Sequence, residues 1–153
     1  MAITGDDQFE WRSFKIGDGT SYAVARVSGL GKASLRRSPL GRVGQHGAIL
    51  PRADLLGERV ITMEVEVEGS TRADLLAKLD ALDTATAPAS TGDEVLQFQI
   101  LGVTRQVNCR PAPADWEWDV GGDIGLLVQS VDLEFFCQDP RVYSGGTTVT
   151  VLA

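Results

Sequence analysis

The hydrophobic period of the chain changes within residues 57–82, and this change constrains the fold more than any other feature. Apolar and polar side chains alternate strictly from residue 60 to residue 68, which predicts a strand with one buried and one solvated face. The solvated face carries three carboxylates in a row, Glu64, Glu66 and Glu68. Gly69 then breaks the strand, and the chain continues with a different repeat.

The repeat that follows Gly69 is helical. Leucines recur at helical spacing and predict an amphipathic helix, whose apolar stripe consists of Leu75, Leu79 and Leu82, widened by Leu76. Ser70 or Thr71 is the predicted N-cap, and Asp74 follows Thr71 at the spacing of a capping box. A strand that runs directly into such a helix predicts that the helix packs back onto a sheet.

Further strands are predicted on both sides of this unit. Residues 9–16 and 22–27 are predicted to form an N-terminal hairpin around a turn at residues 17–20. The later predicted strands are residues 95–100, 104–110, 124–138 (the longest) and 147–152. About seven or eight strands with one α-helix predict a mainly β fold, a β-sandwich or split barrel with a packed helix. The length is that of a single domain spanning residues 1–153.

The charges of the chain are unevenly distributed. The net charge is −7, yet residues 19–53 contain six bases and no acid, whereas residues 54–100 contain ten acids and three bases. Such segments suggest contact between complementary surfaces, including those of two copies of the chain, although a merely polar loop is the alternative. Residues 29–56 form a long glycine-rich excursion, and long loops in compact domains are usually functional or disordered. We predict that this excursion is an assembly element whose subunit contacts are made by Arg36, Arg37, Leu40, Arg42, Ile49 and Leu50.

The sequence is poor in groups suited to catalysis. Its one histidine, His46, lies in a glycine-rich stretch, where a solvated residue is more usual than a base or a metal ligand. Residues 29–34 lack the spacing of a phosphate-binding loop. The glutamates of the central strand would need burial to work as an acid and a base, and the alternation predicts that they face solvent. We therefore predict no enzyme activity, no metal site and no cofactor.

Two pairs of residues in the C-terminal third have more than one interpretation. Cys109 and Cys137 lie in predicted strands, and we expect two buried thiols in a reducing compartment, with a disulfide as the alternative. Trp116 and Trp118 could stack on sugars or bases, but such pairs more often pack against a neighbouring element or subunit. The chain shows neither a secretion signal nor an apolar run of bilayer length, so no membrane insertion is expected.

The ordered set of segments resembles the N-terminal domain of siphovirus distal tail proteins, which are baseplate ring components also found in gene transfer agents. The segments that carry the resemblance are YAVARVSGLG with the glycine-rich excursion, GERVITMEVEVEG, TRADLLAKLDAL with its linker, LQFQILGVTRQVNCRP and DPRVYS. The last segment is the most specific of them, because it directly follows a long predicted strand.

The resemblance implies a fold related to tail-tube proteins and a homo-hexameric ring at the tail tip of a virion, assembled in the host cytoplasm. Such a ring joins the tail tube protein to the tail-tip hub or baseplate protein and leaves a channel for DNA. Many of these proteins carry a second, galectin-like domain, which this chain is expected to lack. Because a conduit must not hold the DNA that passes through it, we expect an acidic lining made of Glu64, Glu66 and Glu68, then Asp132 and Glu134.

Two alternatives stay open. The first is another ring of the same tail, a tube or terminator protein, because these folds are similar. The second is a carbohydrate- or nucleic-acid-binding β module that uses the tryptophans and the basic excursion. The net charge of −7 argues against tight binding of nucleic acid. A hydrolase would require that Glu64 and Glu66 are buried.

Overall fold

The computed structural model describes residues 3–36, 40–41, 48–49, 55–88, 92–117 and 127–145. These ranges contain twelve strands and one helix. In chain order they are β1 Gln8–Trp11, β2 Phe14–Gly17, β3 Tyr22–Ser28, β4 Leu35–Arg36, β5 Leu40–Gly41, β6 Ala48–Ile49, β7 Leu55–Leu56, β8 Arg59–Glu68, α1 Arg72–Ala85, β9 Glu94–Ile100, β10 Val103–Pro111, β11 Val128–Cys137 and β12 Tyr143–Ser144.

The longer strands form one curled antiparallel sheet in the order β2-β1-β9-β10-β11-β8-β3, with β12 added on β10. Strands β2 and β3, at the two ends of this order, contact each other, and the rings of Phe14 and Tyr22 meet edge to face at 4.8 Å. The sheet therefore curls almost into a barrel. This architecture confirms the predicted mainly β fold with a single packed helix in the described part of the chain.

Helix α1 closes the interior of the curled sheet. Its buried stripe is Leu75, Leu79 and Leu82, as the leucine spacing predicts. Trp11 of β1 donates from Nε1 to the carbonyl of Ala85 at 3.0 Å, and Tyr22 of β3 donates to the carbonyl of Lys78 at 3.2 Å. The helix is thus fastened to strands near both ends of the sheet. Leu76, expected to widen the buried stripe, is 54% exposed, so that part of the prediction is wrong.

Strand β8 is central to the core. Its residues are buried and exposed in strict alternation, as predicted. Strand β11 runs antiparallel to β8 over its whole length with the same alternation, so the two strands present their apolar faces together. The buried apolar side chains of β8, α1 and β11 belong to one cluster, which includes Ile61, Met63, Val65, Val67, Leu75, Leu79, Leu82, Val131, Leu133 and Phe135.

The N-terminus of α1 shows the predicted cap. Thr71 is the N-cap residue, and its hydroxyl accepts a hydrogen bond from the Asp74 N–H at 3.1 Å. The Asp74 carboxylate accepts from the backbone N–H of Ser70 at 2.8 Å and pairs with Lys78 at 2.9 Å. The Ser70 N–H bond first, then the contacts with Lys78 and the Ser70 hydroxyl, lower the pKa of Asp74 to about 2. Because the folded-state pKa is lowered, this stabilisation is present above the ordinary pKa of about 4 and is lost as the pH falls through about 2.

We expect the Thr71→Ala substitution to destabilise the protein by about 0.5–2 kcal/mol, because the first turn of α1 loses a side-chain acceptor. The matched control is Thr84→Ala, which changes an exposed threonine near the other end of the same helix and should be close to neutral. Urea unfolding monitored by circular dichroism measures both. Equal losses of stability in the two variants would contradict the role of Thr71 as the cap.

The predicted N-terminal hairpin is wrong in its pairing. Residues 9–16 are not one strand, because the chain reverses at Arg12 and Ser13, both of which have positive φ (49° and 66°). The break in hydrophobic phase within this segment is therefore a tight turn between β1 and β2. Strand β3 pairs with β8 instead of returning along the first strand. The irregular register between Val24 and Arg26 marks a bulge in that pairing.

Other strand boundaries differ less from the predictions. Strands β9 and β10 lie close to their predicted positions, with Leu101 and Gly102 at the turn between them. The longest predicted strand, residues 124–138, is observed as Val128–Cys137 with Leu127 in a turn, and residues 118–126 lie outside the described part. The predicted terminal strand, residues 147–152, also lies outside it. Within the excursion the structure describes short strands that pair as β4 with β7 and β5 with β6.

Candidate functional site: an acidic sheet face

The outer face of β8 and β11 gathers all five carboxylates predicted to line a channel. Glu64, Glu66 and Glu68 are exposed on β8, and Asp132 and Glu134 are exposed on β11. The antiparallel register places Asp132 opposite Glu64, and the alternation directs these side chains away from the core. We call this set of five carboxylates the acidic face. The structure thus brings the predicted residues together on one surface.

A row of charged residues crosses the acidic face. Asp115 forms an isolated antiparallel bridge with Asp132, Asp132 lies opposite Glu64, and Glu64 lies opposite Arg26 of β3. Within strands β3, β8 and β11, Arg26 is the one basic residue on this outer surface. Like charges directly opposite each other destabilise a sheet. Arg26 offsets part of the repulsion at Glu64, whereas Asp132 faces a carboxylate residue on each side.

The acidic face does not resemble a catalytic or metal centre. Glu64 and Glu66 are exposed, so they lack the burial that acid–base catalysis by these glutamates would require. Among the residues that the structure describes, no group of three or more histidine, cysteine, aspartate or glutamate side chains is placed to hold a metal ion. His46 lies outside the described residues. What the face offers is a contiguous field of negative charge.

The predicted subunit contacts fall only partly within the described residues. Arg36 is exposed on β4, and Leu40 and Ile49 are opposite one another in the β5–β6 pair. Arg37, Arg42 and Leu50 lie outside the described part of the chain. Leu35, Leu55 and Leu56 of the β4–β7 pair are also exposed large hydrophobic side chains.

A groove of about 740 Å³ lies beside the β4–β7 pair. Its lining combines basic and apolar side chains, which include Lys32, Arg105 and Arg141 together with Leu35 and Leu56. We call this surface the basic groove. Its charge is opposite to that of the acidic residues that dominate the rest of the chain, and its apolar side chains offer area to bury. Both properties suit an assembly surface.

One residue that was not predicted from the sequence holds this region in place. Arg59, the first residue of β8, is 6% exposed and donates to three backbone carbonyls. The acceptors are Gly29, Gly31 at 2.6 Å and Pro140 at 2.9 Å. Gly29 has φ +85°, and a Cβ there would lie 2.0 Å from the Val60 carbonyl oxygen. The alternation of β8 could have indicated its burial, because Arg59 lies two residues before Ile61 and four before Met63, on the same face of the strand.

The DPRVY segment is joined to the same point. Asp139 accepts hydrogen bonds from the Arg141 N–H at 3.1 Å and from the Tyr143 hydroxyl at 2.5 Å. The bond to Asp139 raises the pKa of Tyr143, because the carboxylate stabilises the protonated phenol. Tyr143 also lies opposite Gln106 in the β12–β10 pair. The segment therefore leads the chain from β11 back to β10, with Pro140 held by Arg59.

The remaining aromatic and membrane predictions can be placed in the fold. Trp116 is half-buried and packs against the hydrophobic core, whereas Trp118 lies outside the described residues. Trp116 is thus used in packing, as the more usual interpretation of such residues expects. Across the described ranges, the structure shows no helix long and apolar enough to span a membrane.

The fold is shared with a solved phage protein, which confirms the resemblance at the level of the fold. A solved structure that shares it is the Dit (gp 19.1) protein of SPP1, described as a paradigm of the hub adsorption apparatus in phages that infect Gram-positive bacteria. The two structures align with a TM-score of 0.66 and 20% sequence identity, over 90% of this chain and 51% of the Dit chain. The chain thus spans about half the length of that protein. No family model and no curated protein matches the chain.

Proposed function

We propose that this protein is a structural component of a phage or phage-like tail that forms a hexameric ring at its distal end. The ring joins the tail tube to the tail-tip hub and leaves a channel for DNA. The observation that carries the proposal is the shared fold with SPP1 Dit over 90% of the chain. The proposed location is the virion tail tip after assembly in the host cytoplasm, and the proposed role includes no catalysis and no cofactor.

The acidic face supports a channel that carries DNA. Duplex DNA bears about one negative charge per 1.7 Å of its axis, so a basic wall would retain it and an acidic wall repels it. The five carboxylates lie side by side on one sheet surface, and Asp132 lies opposite Glu64 at a cost to the sheet. In a ring whose channel is lined by this surface, the carboxylates would repel the DNA that passes through. The alternative orientation would place them on the outer wall.

The excursion and the basic groove support the contacts between subunits. A ring needs two different, complementary patches on each subunit, related by a rotation that closes. The basic groove contributes cations and exposed leucines, and the acidic remainder of the chain contributes carboxylates. Exposed ion pairs give about 0–1 kcal/mol each, so the apolar side chains must supply most of the affinity while the charges set the register.

The count of subunits tests the proposal directly. Native mass spectrometry of the purified chain should show an assembly of six times the 16.4 kDa of one chain. The alternative within the same class is a tail-tube or terminator ring. Binding partners distinguish the two, because a distal tail ring binds both tube and hub proteins. A chain that stays monomeric at every concentration tested, with and without these partners, contradicts the proposal.

A single charge reversal tests the subunit contacts. We expect Arg36→Glu to weaken ring assembly, most strongly at low salt, where screening is least. The matched control is Arg72→Glu, which reverses an exposed arginine at the start of α1. Analytical ultracentrifugation over a range of salt concentrations measures the assembled fraction. Equal assembly of the Arg36→Glu variant and the control would show that β4 does not contribute to the interface.

A further inference from the structure

Cys109 and Cys137 meet across two neighbouring strands. The register of β10 and β11 places Arg110 opposite Phe136 and Pro111 opposite Phe135. One further step along both strands places Cys109 opposite Cys137. Both side chains are fully buried, and both are free thiols. The two residues are 28 positions apart in sequence, so only the strand pairing reveals that they are neighbours.

The hydrogen bonds of this ladder define the kind of pair. The Ala112 N–H donates to the Glu134 carbonyl at 2.8 Å, which marks Ala112 and Glu134 as a hydrogen-bonded pair. Such pairs alternate with non-hydrogen-bonded pairs along an antiparallel ladder, so Cys109 and Cys137 form one of the latter. In these pairs the Cα atoms lie about 4.5 Å apart and the side chains approach closely. A disulfide bridges Cα atoms about 4.4–6.8 Å apart, so the strands need little movement to accept one.

The surroundings make the two thiols unequal. The two thiols interact with each other, and Arg59 lies opposite Cys137 on β8. The interaction with Cys109 and, after it, the guanidinium lower the pKa of Cys137 against the opposing effects of burial, Asp93 and Asp139. The interaction with Cys137 raises the pKa of Cys109, and burial adds to the increase. Cys137, opposite the Arg59 guanidinium, is therefore the sulfur that we assign as the nucleophile.

We propose that Cys109 and Cys137 are a redox-active pair that closes to an intrachain disulfide when a small peroxide reaches the core. The Cys137 thiolate attacks one oxygen of hydrogen peroxide, forming a sulfenic acid as hydroxide leaves and takes up a proton as water. Cys109 then gives up its proton, and its sulfur attacks the Cys137 sulfur. The S–O bond breaks, the S–S bond forms and a second water leaves. Two thiols are oxidised and one peroxide is reduced.

The disulfide would join β10 and β11, whose ladder is short. β10 and β11 pair through the two positions named above, whereas β11 and β8 pair through ten. The disulfide would add a covalent link beside these positions and close a loop over residues 110–136. A link of this kind restricts the unfolded chain and raises the unfolding temperature.

The test compares the folded protein before and after treatment with hydrogen peroxide. After denaturation in excess maleimide, the untreated chain should carry two maleimide groups and the treated chain none. Peptide mapping should then find Cys109 joined to Cys137 within one chain. The melting temperature of the treated protein should be higher by about 5–15 °C. The Cys137→Ala and Cys109→Ala variants should show neither the link nor the increase.

Three results would overturn the proposal. The first is two maleimide groups on the treated chain, which means that the thiols did not react. The second is sulfinic acid at either cysteine without a link, and the third is a disulfide between two chains. The count of maleimide groups is made on the wild-type chain, so this test remains valid even if an alanine variant fails to fold. Ring assembly is not among these measurements, so the proposal stands or falls separately from the proposed function.

Discussion

Replacing Arg59 with methionine should lower the free energy of unfolding by about 3–5 kcal/mol. The guanidinium is buried, and it donates to the carbonyls of Gly29, Gly31 and Pro140. Methionine fills a similar volume but has no hydrogen-bond donor. The three carbonyls would therefore lose the hydrogen bonds that the buried guanidinium donates. Each acceptor left unsatisfied by burial costs about 1–3 kcal/mol. Guanidinium chloride unfolding measures the loss.

Arg105→Met is the matched control for this prediction. Arg105 is an exposed arginine on β10, and its replacement should change the stability by no more than about 0.5 kcal/mol. The Arg59→Met variant should also release the end of β3 and the DPRVY segment, which hydrogen exchange detects as faster exchange near Gly31 and Arg141. A loss below about 1 kcal/mol, or exchange unchanged at both sites, would show that Arg59 does not hold these segments together.

In the proposed ring, reversing two charges of the acidic face should turn a surface that repels DNA into one that binds it. The double variant Glu64→Lys with Glu66→Lys would place twelve lysines around the channel of a hexamer. If roughly six to ten of them contact phosphates, the affinity should fall by about 10³–10⁵-fold between about 50 and 200 mM salt. Fluorescence anisotropy with a short labelled duplex measures binding, and the wild-type ring should show none.

The matched control for the DNA measurement is Asp80→Lys with Asp83→Lys. These substitutions change the net charge by the same amount on the exposed side of α1, away from the acidic face. The control ring should bind DNA far more weakly than the channel variant. The channel variant should be close to the wild type in stability, because a lysine at position 64 faces Asp132 on one side and Arg26 on the other. Equal DNA binding by both double variants would contradict an inward acidic face.

Features that depend on local pattern could be predicted from the sequence. The alternation along β8, the leucine stripe of α1 and the Thr71 cap each rest on neighbouring residues, and the structure confirms them. The acidic face follows from the same alternation in β8 and β11, once the strands are paired. The assignment of that face to a channel stays a prediction, because it depends on how several copies come together.

Features that depend on backbone conformation or distant contacts were missed. The turn between β1 and β2 uses positive φ at Arg12 and Ser13, and neither residue is typical of such turns, so the segment resembled one strand. Arg59 finds its acceptors near positions 30 and 140, which no local pattern brings together. The Cys109–Cys137 pairing likewise depends on register between strands separated by residues 112–127.

Electron microscopy of the purified chain in negative stain tests the central claim most directly. We expect annular particles with six-fold symmetry and an open, stain-filled centre. A matched sample of the Arg36→Glu variant at low salt should show fewer annuli. Particles of another symmetry, closed particles without a channel, or a field of monomers at concentrations where the tail partners are present would contradict a hexameric distal tail ring.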